Sequence, residues 1–391
     1  MSLDPLDTVR VGIVGPSWWV NYWHLAALQT HPNVEVVAVS GGAERDPDEV
    51  KAKYGANARY FTNYEEMMDT VPMDGVIVCT PNDLHHPVTM AALKRDLHVT
   101  CEKPIALNAE QAFEMADTAS KRNLIGMSNF PYRDNPAVQA FRKLIDADYV
   151  GDILHVSGSY HGGFGLRRNP NWRSLRARSG AGILGDLGSH LIDLVRYITG
   201  EEFSAVSGNM ITTLWDADGD LDRILHSENP DVGERNDDSC TFLAELTSGA
   251  QAVLHTSWVA HQGAGIQQQE IEVYGTEGRL HLIASHRGVS LRGLHAGNPN
   301  WETIEVEGVV TVEAANGAEE EDFFRPGRHT PTNTTYRWLE AIRNDETTVE
   351  PSLWDGYYAQ EVIDAVILSS AERRWVLISE VSEGKPDEYS D

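Results

Sequence analysis

Short apolar runs, each closed by glycine or proline, alternate with stretches of helical spacing through the first third of the chain. Residues 9–14 (VRVGIV) and 34–40 (VEVVAVS) have strand length, are rich in valine and isoleucine, and end at Gly15 and at Gly41-Gly42. A helical segment follows each, up to residue 29 and over 47–54, and 75–80 and 98–101 supply further strands around a helix at 87–95. Strands that are apolar along their whole length and separated by helices predict a doubly wound parallel sheet covered on both faces. Ligands of such sheets bind at the carboxyl ends of the strands.

Beyond residue 130 the rhythm changes. Strands are expected over 153–160, 205–214, 239–246, 250–259 and 271–283, with turn signals at Thr247-Ser248-Gly249 and Gly275-Thr276-Glu277-Gly278. This pattern predicts an α+β domain built on a large, mostly antiparallel open sheet. One strong helical segment, 185–199, lies among the strands, and two more, 332–344 and 353–375, come last. The expected division is therefore a first domain over 1–130 and a second over 131–391 that includes the terminal helices at 332–375. The stretch 216–238 is acidic and aperiodic and reads as a surface insertion. The run 250–259 carries Leu254 and Trp258 on one face and Val253 and Val259 on the other. A sheet apolar on both faces calls for a second copy of the chain, and a homodimer or homotetramer is expected.

At 391 residues and 43.3 kDa the chain is long enough for two cores. No apolar run approaches the roughly 20 residues of a membrane helix, and no secretory leader is evident at the start, so a cytoplasmic protein is expected. A formal charge of -28 repels phosphate backbones, which argues against nucleic acid and requires local cations for any anionic ligand. The acidic composition, with seven lysines against 24 arginines, also suits a high-salt environment. Cys79, Cys101 and Cys240 are scattered and lack zinc-ligand spacing, so reduced packing thiols and no metal site are expected.

Candidate chemistry clusters at the strand exits. Lys103 follows the run 98–102, is preceded by Glu102 and is stopped by Pro104, a setting for a proton-exchanging ammonium or for an ordinary surface lysine. Gly15-Pro16-Ser17-Trp18-Trp19-Val20 stands where a dinucleotide phosphate loop belongs, but Ser17 and Val20 replace its second and third glycines. At the tip of the second strand, Ser40 and Arg45 replace the acid that would bond a ribose diol, which favours NADP over NAD. Asp186 and His190, four residues apart, share a helical face on which a carboxylate can orient an imidazole; a capping aspartate and a packed histidine are the alternative.

In their order along the chain these pieces resemble the Gfo/Idh/MocA family of nicotinamide-dependent oxidoreductases. Thr80-Pro81-Asn82 with His85, followed after one helix by Glu102-Lys103-Pro104, is similar to the family's TPNxxH and EKP elements, and Asp186 with His190 matches its D-x-x-x-H element. The resemblance implies an N-terminal Rossmann domain and a nicotinamide cofactor, NADP or NAD. It also implies hydride transfer at a hydroxyl-bearing carbon of a sugar or polyol, with Lys103, Asp186 and His190 as the catalytic group. Gly15, Pro16, Ser17, Trp18, Trp19, Ser40, Arg45, Thr80, Pro81, Asn82, His85, Glu102 and Lys103 would hold the cofactor. Trp172-Arg173, and less directly Tyr132-Arg133, would line the substrate pocket, packing being the alternative for both pairs. Two rival readings stay open: a redox-neutral, NAD-dependent enzyme that eliminates a group from a transiently oxidised sugar, and a non-catalytic NAD(P) sensor.

Overall fold

The computed structural model describes residues 7–167, 171–212, 235–262, 267–307 and 331–382. Residues 7–130 with 331–360 form one compact unit, and 131–307 with 361–382 form another.

The first unit is built on six parallel strands: β1 (Val9–Val14), β2 (Val34–Ser40), β3 (Arg59–Phe61), β4 (Gly75–Val78), β5 (His98–Glu102) and β6 (Gly126–Asn129). Their order across the sheet is β3-β2-β1-β4-β5-β6, and every neighbouring pair is parallel. The chain reverses its direction of travel between β1 and β4, so the crevice outside the carboxyl ends of these strands is the expected ligand site. β4 is buried at all four positions, as a strand covered on both faces must be. The helix Thr334–Arg343 returns to this sheet: its Trp338 is fully buried, and the space its ring fills is left by Gly75, where a Cβ would approach the ring to 2.8 Å.

The second unit carries nine strands, β7 (Ile153–Gly162), β8 (Phe203–Ile211), β9 (Ser239–Leu246), β10 (Gln251–Ser257), β11 (Gln267–Gly275), β12 (Gly278–Ser285), β13 (Gly288–His295), β14 (Glu302–Thr303) and β15 (Val376–Leu377). They run β14-β13-β12-β11-β7-β10-β9-β8-β15, antiparallel throughout except for β7 beside β10. The stretch 271–283 is the hairpin of β11 and β12, turning at Thr276-Glu277 where the turn signal stands. The helix Ser189–Thr199 packs on one face, where Gly158 brings Leu191 and Leu254 against the β7 backbone.

The opposite face is more polar than the sequence suggests. Val253 and its cross-strand partner Leu243 are exposed, but their neighbours there include Gln251, His255, Thr241 and Glu245.

The stretch 216–238 also departs from expectation at its end. Asn236, Asp237 and Asp238 are buried, not on the surface; the earlier part lies outside the described residues.

Candidate active site

The carboxyl end of β1 makes the first cradle. Gly15 has φ +87, and a Cβ there would lie 2.5 Å from the Cys79 carbonyl oxygen, so only glycine permits this approach to the chain leaving β4. Ser17 takes the role of helix cap, its Oγ accepting the Val20 amide at 3.3 Å. The helix then opens as a wide turn, Val20–His24, in which the Leu25 amide reaches back to the Val20 carbonyl. Val20, a bulky replacement for glycine, is thus accommodated fully buried. Trp18 is exposed and meets Trp19 edge-on at 5.4 Å, while Trp19 stacks on Trp23 at 6.1 Å. At the tip of β2, Ser40 is buried and Arg45 is exposed, its guanidinium donating to the Pro16 carbonyl at 3.3 Å. Arg45 therefore bridges the tips of β1 and β2, the two places a dinucleotide's adenosine half must meet.

Glu102, the last residue of β5, is buried and accepts three hydrogen bonds. Its Oε1 accepts from Trp19 Nε1 at 2.5 Å, from His24 Nε2 at 2.9 Å and from Asn129 Nδ2. His24 is fixed in turn by Thr335 Oγ1 at 2.8 Å from Nδ1, and Asn129 by Thr334. Burial pushes the Glu102 carboxyl up, but the bonds from His24 and Asn129 and the charges of His24 and Lys103 outweigh it and leave it below the usual range. A fixed anion thus directly precedes Lys103. His85 ties the exits of β4 and β5 together, Nε2 lying 2.9 Å from the Thr80 carbonyl and Nδ1 2.8 Å from that of Pro104. Burial holds its imidazole below the usual value. Pro81 and the buried Asn82 form the turn between.

In the second unit Asp186 sits in another wide turn, Leu184–Gly188, that leads into the helix Ser189–Thr199 carrying His190. The regular four-residue spacing expected between the two is therefore loosened. Arg173 Nε lies 3.6 Å from Asp186 Oδ2 and stacks on Trp172 at 4.3 Å, so the Trp172-Arg173 segment lies beside Asp186. The buried His190 ring packs edge-on against Tyr132 at 4.5 Å and lies 6.2 Å from Tyr160. The two tyrosine hydroxyls are hydrogen-bonded at 2.5 Å, and Tyr160 donates to Gln267 at 3.0 Å. Arg133 is engaged elsewhere: Asp193, three positions after His190, binds its guanidinium in two contacts, 2.5 and 3.0 Å.

The family model described as "Oxidoreductase family, NAD-binding Rossmann fold" matches residues 9–130, and the one for the GFO/IDH/MocA C-terminal domain matches 138–281. The chain belongs to the Gfo/Idh/MocA family. It is an oxidoreductase whose relatives are named for sugars and polyols acted on at CH-OH groups. The levoglucosan dehydrogenase of Pseudarthrobacter phenanthrenivorans is 28% identical over 82% of this chain and 84% of its own. The inositol 2-dehydrogenase of Rhizobium meliloti is 26% identical over 95% of this chain and 100% of its own. Among solved structures, a levoglucosan dehydrogenase complexed with NADH and levoglucosan superposes with a TM-score of 0.77 at 24% identity, covering 95% of this chain and 99% of that one. That last likeness bears on the fold alone. Among the described residues of this Gfo/Idh/MocA chain, no helix is long and apolar enough to cross a membrane.

The strand exits hold Gly15, Thr80, Glu102 and Lys103 where the sequence puts them. His24, Asn129, Tyr160 and Asp193 escaped the sequence reading. No motif flags them, and each matters only through a partner that the fold brings near.

Proposed function

We propose that this protein transfers hydride between a nicotinamide cofactor, NADP by preference, and a hydroxyl-bearing carbon of a sugar or polyol. The observation that carries the reading is Lys103 at the carboxyl edge of the parallel sheet, directly after a carboxylate held by three N–H donors. The chain fits the cofactor. Gly15 lets the loop turn tightly against the chain leaving β4, Ser17 ends the loop at a helix N-terminus where a pyrophosphate would sit, and Arg45 offers a guanidinium to a 2'-phosphate.

Bound nicotinamide supplies the hydride chemistry. The chain's own part is proton traffic and orientation. Lys103 or His190 removes the hydroxyl proton in oxidation and returns it to the forming alkoxide in reduction. Asp186 aligns the group, and Arg173 and Trp172 beside it, with Tyr132 against His190, present the polyol with hydrogen-bonding and flat apolar surfaces. Arg133, held by Asp193, serves to fix the helix that carries His190. The names of the relatives, levoglucosan dehydrogenase, inositol 2-dehydrogenase and the D-glucoside 3-dehydrogenase of Escherichia coli, support a cyclic polyhydroxyl substrate.

Titrating the protein with NADP and with NAD, followed by nicotinamide fluorescence, tests the cofactor assignment. NADP binds more tightly, and Arg45→Ala removes most of the difference, about 1.5–3 kcal/mol for one charged hydrogen-bonded contact. Equal affinities in the unaltered protein reject it.

A further inference from the structure

The helix carrying Asp186 and His190 has no cap from its own chain neighbours; its first amides are taken by one residue far along the sequence. Asp237 Oδ1 accepts the Gly182 amide at 2.7 Å, its Oδ2 accepts the Leu184 amide at 2.9 Å, and its main-chain carbonyl accepts the Ile183 amide at 3.1 Å. Three successive donors at a helix start, ordinarily orphaned, thus end on a single residue that is only 3% exposed. Its carboxylate also lies at the positive end of the helix dipole. The fit is close: a Cβ on Gly182 would come within 2.3 Å of the Asp237 carbonyl oxygen and 2.7 Å of Asn236 Cβ.

The residues on either side of Asp237 hold the neighbouring loop. Arg235 pairs with Leu175 in a short antiparallel bridge. The Asn236 amide donates to the Ser174 carbonyl at 3.2 Å, and its side chain donates to the Arg173 carbonyl at 2.8 Å and to Ser179 Oγ at 2.5 Å. Residues 235–237 therefore grip both the Trp172-Arg173 loop and the turn bearing Asp186, and Arg173 and Asp186 meet in the ion pair already described. Asp238 points elsewhere, accepting from Trp258 Nε1 at 2.8 Å.

We infer that Asp237 is a positioning residue for the reaction: its two carboxylate oxygens set the start of the helix, and so the placement of Asp186 and His190 relative to Arg173 and Trp172. The inference rests on the catalytic assignment of His190. A carboxylate is required because both oxygens must accept. An amide of the same shape offers one acceptor and turns two N–H donors toward the other backbone N–H.

The test compares four variants of the full chain with the unaltered enzyme on its best sugar, reading kcat, sugar KM, cofactor affinity and melting temperature. Asp237→Asn lowers kcat by about tenfold or more while cofactor affinity stays within about twofold, since a small misplacement of catalytic groups costs rate before it costs folding. Asp238→Asn, equally buried on the same segment but bonded to Trp258, keeps kcat within about threefold because its amide oxygen still accepts the indole N–H. Gly182→Ala, which forces the same junction apart from the other side, reproduces the loss of kcat and decides the matter if Asp237→Asn does not fold. A folded Asp237→Asn with unchanged kcat, or equal losses in Asp237→Asn and Asp238→Asn that track melting temperature, overturns the inference. His190→Ala separates the two levels. If it keeps full turnover, the catalytic assignment falls and the inference with it; if it is inactive while Asp237→Asn is not, the inference alone falls.

Discussion

Replacing Arg133 with methionine isolates the contribution of the ion pair behind His190. The Arg133 and Asp193 side chains are 7% and 1% exposed, and their contact is bidentate, so both charges are withdrawn from water and rely on each other. Arg133→Met preserves much of the side chain's volume but leaves the Asp193 carboxylate buried without its guanidinium. Removing one partner of such a pair costs about 3–5 kcal/mol. At about 2–4 °C per kcal/mol for a unit of this size, melting should fall by roughly 6–20 °C. The double variant Arg133→Met/Asp193→Leu removes both charges and should recover most of the loss, because well-packed apolar substitutes for a buried pair are often neutral. Thermal melts of the two single variants and the double, followed by far-UV circular dichroism, complete the cycle. The reasoning is refuted if Arg133→Met melts within about 2 °C of the parent, a loss under 1 kcal/mol. It is equally refuted if the double variant loses the sum of the two single losses. A normal melting temperature with lost sugar turnover would return Arg133 to the substrate pocket.

Two further outcomes follow from buried imidazoles and from the second sheet. Burial holds His85 below its usual value, and the same cause lowers His31, His98, His161 and His255. As pH falls below about 6.5 the unfolded chain takes up protons that the folded one refuses, so stability present above that pH is lost by up to about 1.4 kcal/mol per pH unit per histidine. Melting temperatures at pH 7.5 and 5.5 in 0.3 M salt, where the charge repulsion is screened to within roughly a few ångströms, should decline toward acid; a flat or rising profile contradicts this. The exposed cross-strand pair Leu243 and Val253 on β9 and β10 supports a second copy on the outer face of the nine-stranded sheet. Light scattering behind a sizing column in low and high salt should then give a mass above one chain, and 43.3 kDa in both buffers rejects the homodimer or homotetramer.

The parallel sheet and its strand exits were legible because a strand buried on both faces is written as an unbroken apolar run, and its end as a glycine, a proline or a polar motif. What the sequence hides is set by distance along the chain. The helix Thr334–Arg343 looks like part of the second domain, and only the space that Gly75 leaves for Trp338 brings it to the first sheet. The donors to Glu102 come from the helix after β1, which carries Trp19 and His24, and from Asn129 at the end of β6, far along the chain. Ser17 and Val20 look like damage to a glycine loop, yet one becomes a cap and the other fits because the turn widens. No local signal marks either wide turn. Asp237 misleads most, because it closes an acidic, aperiodic stretch and nothing nearby indicates that three buried amides await it.

Absorbance at 340 nm during incubation of the protein with NADP or NAD and a panel of cyclic sugars and inositols puts the hydride-transfer assignment to trial. With at least one such substrate the unaltered enzyme should raise the absorbance steadily, and Lys103→Met should cut the rate by on the order of 100-fold or more with cofactor affinity nearly unchanged. No net change with any of them while the cofactor is demonstrably bound, or undiminished turnover in Lys103→Met, would contradict it.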